Sequence, residues 1–140
     1  MVISSMRIGL GQINTTIGDM AGNVRKMIDA AGVAASRGAE IVVFPELAIP
    51  GYPPRDLMEK PSFVDRAEQE LLRLAAATAD LPVTIIAGSI AHSAANSGKR
   101  AINIAAVLKG GKEIFRQVKM LLPTYDVFDE GRYFLPAEHQ

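Results

Sequence analysis

Glu46 is the residue here whose type and place could do chemistry. It follows Ile41-Val42-Val43-Phe44-Pro45, a run of β-branched and apolar residues that reads as a strand buried on both faces, and Pro45 cannot supply the next ladder hydrogen bond. The acid is therefore held where the strand stops. Just beyond it, Pro50-Gly51-Tyr52-Pro53-Pro54 forms a stiff turn. A carboxylate fixed at the mouth of a strand is the usual raw material for a general base. The plainer reading is an acid that simply faces water, and both remain open on these residues alone.

Other candidate motifs fail on inspection. Gly9-Leu10-Gly11 lacks the third glycine and the helix start of a dinucleotide fingerprint, and Gly110-Gly111-Lys112 sits between two strand-like runs rather than before a helix. His92 and His139 have no acid or histidine at metal-ligand spacing and read as loop and tail residues, so no metal site is expected. Ser89 lacks the nucleophile-elbow pattern and a histidine partner. With no cysteine in the sequence, disulfides, cysteine metal sites and thiol catalysis by this chain are excluded.

The elements that must carry Glu46 alternate between strand and helix. Arg7 to Ile13 alternates apolar with small or polar positions, as a first strand does. From about Met20, the residues Val24, Met27, Ile28, Ala31, Ala34 and Ala35 share one helical face, with Asp19 as cap and Gly38 as stop. Pro61 suits the first turn of a second helix whose buried stripe is Phe63, Ala67, Leu71, Leu74, Ala75 and Thr78, ended by Asp80-Leu81-Pro82. Val83 to Gly88 is a further strand. Ala101 to Leu108 and Lys112 to Val118 flank Lys109-Gly110-Gly111 as a β-hairpin, and the polar run His92 to Arg100 reads as an exposed loop. Helices joining buried strands, plus one hairpin, predict a layered α/β architecture with a mixed sheet.

Composition bounds the rest. A 140-residue chain with 49% hydrophobic residues, eight prolines and twelve glycines fits one globular unit with a sizeable core. Fifteen basic and fifteen acidic residues cancel, so nothing favours nucleic acid or an anionic membrane. Neither a membrane span nor an export signal is visible, and cytoplasm is the expected location.

Two long blocks carry a family likeness. Ser36-Arg37-Gly38-Ala39-Glu40 running into the Glu46 strand resembles the first signature of the nitrilase superfamily of carbon-nitrogen hydrolases. Its continuation, Pro50-Gly51-Tyr52-Pro53-Pro54-Arg55-Asp56-Leu57, narrows the likeness to the glutaminase domain of the glutamine-dependent NAD synthetases. The second block runs from Lys119-Met120-Leu121-Leu122-Pro123 to Phe128-Asp129-Glu130-Gly131-Arg132-Tyr133-Phe134. Gly11-Gln12-Ile13-Asn14, Gly18-Asp19 and Asn103-Ile104-Ala105 agree more weakly.

The resemblance implies an α-β-β-α sandwich, of which this chain would encode the first half. Residues 1–140 are then part of a glutaminase domain whose cysteine-bearing second half, like the synthetase domain, is absent. Glu46 would be the base and Lys119 would stabilise the tetrahedral intermediate. Glu130 falls where the superfamily has a second active-site glutamate, and Tyr52 and Tyr125 match positions that help form the glutamine pocket. Thr124 and Asp126 depart from the asparagine and glycine often found there. Both Glu46 and Lys119 should lie at carboxyl ends of neighbouring strands, about 3 to 6 Å apart, to cooperate at one carbonyl.

Glutamine is the implied substrate of the parent enzyme, and ammonia its product for ATP-dependent NAD synthesis. No cofactor is expected in this chain, ATP and Mg belonging to the synthetase domain. The isolated chain should be inactive for want of a thiol. Alternatives are a fragment of another amidase or carbamoylase of the superfamily, or a non-catalytic assembly module. Without the other half of the sandwich, the chain should expose apolar strand faces and an unpaired edge and form a homo-oligomer, most simply a two-fold dimer.

Overall fold

The computed structural model describes residues 5–94 and 101–138. Five strands form one mixed sheet in the order β1-β2-β3-β4-β5, with β1 Ile8–Leu10, β2 Ile41–Val43, β3 Thr84–His92, β4 Ala101–Lys109 and β5 Lys112–Val118. The first three strands are mutually parallel, β4 is antiparallel to β3, and β5 is antiparallel to β4. It follows that β2 and β5 run the same way. Their carboxyl ends share one rim.

Local sequence explains most of these elements. Helix α1 (Met20–Ser36) is capped by Asp19, whose carboxylate accepts the Gly22 N–H, and it buries Met20, Val24, Met27 and Ala31 at helical spacing. Helix α2 (Pro61–Ala77) starts on Pro61 and buries Val64, Ala67, Leu71, Leu74 and Ala75. Val64 takes the inward place expected of Phe63, which is only half-buried. Gly110 and Gly111, both at positive φ (55° and 80°), close the β4–β5 hairpin, because a two-residue turn of matching twist needs left-handed residues at both positions. Helix α2 packs on β3 and on α1, covering the sheet face that carries Val42, Ile85, Ala87 and Leu108.

On the other face only the two-sided burial expected of β2 fails. In register across all five strands lie Leu10, Val43, Ile86, Val107 and Phe115, an unbroken apolar row. Its ends are open, Leu10 being 81% and Phe115 58% exposed. The β2 strand is therefore fully buried only at Val42, on its helix side, while Ile41 and Val43 on the opposite side stay half-buried.

Two boundaries also move. The first strand is limited to Ile8–Leu10, because only these residues pair with β2. The third runs on to His92, whose Cα pairs with Ala101, so His92 is a strand residue rather than a loop residue. Its Nε2 lies 2.7 Å from Asp65 Oδ1. Residues 95–100 of the expected polar loop, and His139, fall outside the described residues.

Candidate active site

Glu46 leaves β2 at one rim and Lys119 leaves β5 at the same rim, yet these strands are not neighbours. Strands β3 and β4 lie between them, three strand spacings or about 14 Å across. The chain closes that gap by bending over the end of β3, where Phe44 N–H donates to Ile86 and Ile49 N–H to Gly88. Gly88 makes the crossing possible. A Cβ there would strike the Pro45 carbonyl and come within 2.8 Å of Glu46 Cα. Leu47, fully buried, takes a left-handed backbone (φ 49°) just after the acid, a conformation that costs a branched side chain about 1–2 kcal/mol. Asn23 secures the far side of the bend: its amide accepts from Thr16 N–H and donates to the Thr16 and Ile49 carbonyls.

Lys119 is the hub of the result. Its Nζ donates to Glu46 Oε1 at 2.7 Å and to Glu130 Oε2 at 2.8 Å. Glu130, the first residue of the one-turn helix α3 (Glu130–Tyr133), has a side chain only 7% exposed, and its other oxygen accepts from the Tyr52 hydroxyl at 3.2 Å. The Glu46 carboxylate is 45% exposed and faces the open rim. Four of the five expected site residues, Glu46, Lys119, Glu130 and Tyr52, thus form one connected set. Tyr125 does not join it: its ring is 70% exposed and packs edge-on against Phe128, which in turn meets Tyr52.

Charge follows geometry. Burial by itself lowers the Lys119 pKa, but hydrogen bonds to Glu130 and Glu46 and their negative charges outweigh it together, so the ammonium holds its proton above the ordinary lysine value. Burial, the Glu130 charge, the hydrogen bond to it and Glu46 push the Tyr52 phenol up to about 12, against an opposing pull from Lys119. The centre therefore carries a fixed cation between two acids and a neutral phenol. An ammonium has three N–H donors, and two are engaged, leaving one for an oxyanion. No group of three or more His, Cys, Asp or Glu side chains is placed to hold a metal ion among the described residues.

Sequence reasoning missed one member. Asn103, on β4 between the strands that bring Glu46 and Lys119, donates from Nδ2 to Glu46 Oε1 at 2.6 Å. The signal was a polar residue inside the apolar run Ala101 to Leu108, which a strand buried on one face rarely holds without a partner.

Known proteins share this arrangement of elements. The family model described as carbon-nitrogen hydrolase matches residues 7–137. A glutamine-dependent NAD(+) synthetase of Thermotoga maritima is 45% identical over 133 residues, which cover 95% of this chain and 22% of the relative. The glutamine-dependent NAD(+) synthetase of Cytophaga hutchinsonii superposes with a TM-score of 0.86 at 28% identity, over 97% of this chain and 23% of that one. An amidase from Nesterenkonia sp. superposes with a TM-score of 0.75 at 25% identity, over 96% of this chain and 49% of the amidase. The chain thus spans less than a quarter of either synthetase and about half of the amidase. With a family match that runs along almost its entire length, and a relative nearly half identical to it, the chain belongs to the carbon-nitrogen hydrolases.

Proposed function

We propose that this chain supplies the base and the oxyanion-stabilising cation of a glutaminase that feeds ammonia to NAD synthesis. The observation that carries the reading is Lys119 Nζ held between Glu46 and Glu130 at 2.7 and 2.8 Å. An amide carbonyl is a poor electrophile, so its hydrolysis needs a strong nucleophile, a base and localised positive charge. Base and charge are both present. The nucleophile is a thiol from outside these 140 residues, which contain no cysteine.

Glu46 takes the thiol proton, and sulfur attacks the carbonyl carbon of the glutamine side chain. The resulting oxyanion lies against the free N–H of Lys119. As the C–N bond breaks, the proton passes from Glu46 to nitrogen and ammonia leaves. Water, deprotonated by Glu46, then attacks the thioester and releases glutamate while the proton returns to sulfur. Glu130 keeps Lys119 charged and aimed throughout. The likeness to synthetases named for glutamine and NAD favours this substrate over other amides.

The test is a chimaera in which residues 5–138 replace the matching segment of the Thermotoga maritima synthetase. Glutamate release from glutamine is the expected activity, with Glu46→Ala and Lys119→Ala each lowering kcat by about 100-fold or more. A folded chimaera without glutaminase activity, or one indifferent to Glu46→Ala, would refute the proposal. The 140-residue chain alone should release no glutamate above its own Glu46→Ala variant.

A further inference from the structure

Glu46 and Lys119 approach one another from strands three places apart, and one residue touches both. Asn103 lies on β4 between them and is 3% exposed. Its side-chain Nδ2 donates to Glu46 Oε1 at 2.6 Å, and its main-chain carbonyl accepts the Lys119 N–H at 2.9 Å. The orientation of the amide follows from chemistry, because only its nitrogen can donate to a carboxylate. Glu46 Oε1 thereby receives two donors, Asn103 Nδ2 and Lys119 Nζ. Among the described residues Glu46 Oε2 receives none.

We propose that Asn103 is a positioning residue for this site: it locks the Glu46 carboxylate by its Oε1, leaves Oε2 as the oxygen that accepts the proton, and anchors the backbone of Lys119. The inference rests on the catalytic reading of Glu46 and Lys119 and adds to it a division of labour between the two carboxylate oxygens. A carboxylate held by lysine alone at the open rim has a rotatable side chain to reorient, whereas a second donor from a strand removes that freedom. A base must sit within hydrogen-bond reach of the proton it takes, so loss of about 1 Å in placement costs roughly 100-fold in rate.

Two variants remove the donor. Asn103→Leu keeps the volume, and Asn103→Ala serves if the larger side chain perturbs folding. In the 140-residue chain, NMR titration of the Lys119 ammonium reads the geometry directly, since Glu46 and Glu130 face that group along with the Tyr52 phenol. The expected result is a lower Lys119 titration midpoint in both variants, as Glu46 wanders from the lysine. A purely structural part in β4 would shift thermal stability and leave that midpoint alone.

In the chimaera, kcat should fall about 100-fold with KM changed less than about threefold. Unchanged Lys119 titration in a folded variant would overturn the proposal. So would an Asn103→Leu chimaera that keeps its kcat where Glu46→Ala abolishes it, and that outcome would leave the glutaminase reading standing. A wild-type chimaera with no activity would defeat the glutaminase reading instead, and the Lys119 titration would still decide the part of Asn103.

Discussion

Lys119 commits two of its N–H donors to carboxylates of unequal burial, and the proposed glutaminase gives them unequal parts. Glu130 is enclosed and held by both Lys119 and Tyr52, so it is a fixed counter-charge. Glu46 is open to an incoming group, as the proposed base must be. Tyr52 offers a direct check on the enclosed side. Its phenol titrates near 12 in the folded protein against an ordinary 10.0, so the folded state holds that proton more tightly than the unfolded chain does. The resulting stability is complete below pH 10 and is lost as pH rises through 12; Lys119, also raised, acts in the same direction. Tyr52→Phe should therefore make the alkaline loss of stability shallower, read as denaturation midpoints against pH. It should cost about 1 kcal/mol at neutral pH through its lost hydrogen bond.

At the level of elements, the bend from β2 across β3 decides where Glu46 goes, and Gly88 is the residue that admits it. Gly88→Ala must push a methyl group into the main chain of Pro45 to Leu47, which cannot yield as a flexible side chain would. The expected loss is about 1–3 kcal/mol, with kcat of the chimaera falling as Glu46 is displaced. Gly32 is the matching control. It lies inside α1 with no heavy atom near the position a Cβ would take. Gly32→Ala should raise stability by roughly 0.5–1 kcal/mol because helix propensity improves and nothing clashes. Urea denaturation of the two variants side by side gives opposite signs if the bend is set by backbone contact.

The whole molecule presents one covered sheet face and one left partly open. The row Leu10, Val43, Ile86, Val107 and Phe115 leads to the same rim as the site, and Leu121, Tyr125 and Val127 are also exposed. Contiguous apolar surface of this kind associates, since each large side chain removed from water contributes about 1.5–3 kcal/mol. We expect the 140-residue chain to form a two-fold dimer at low micromolar concentration, each copy covering the other's open face. Sedimentation equilibrium measures this directly. Phe115→Glu should shift the chain toward monomer while changing monomer stability by no more than about 0.5 kcal/mol, because Phe115 is already exposed. A wild-type chain that sediments as a folded monomer at that concentration would disprove the dimer.

What could be read from sequence was local. The Asp19 cap, the Pro61 helix start, the apolar stripe of α1 and the Gly110-Gly111 turn each depend on residues within a few positions of one another. So does the arrival of Glu46 and Lys119 at strand ends, because the apolar runs and Pro45 stop where those residues begin. Tertiary structure decided everything that depends on strand order. That β2 and β5 point the same way, that two strands separate them, and that Asn103 stands in the interval all follow from the pairing register. Short-range propensity carries no information about that register. The same holds for Gly88, whose missing side chain has meaning only once Pro45 to Leu47 lies on it, and for Tyr125, which shares a block with Lys119 yet is exposed and packs on Phe128. Side-chain type and spacing specify which groups are available; the direction and order of strands determine which of them meet.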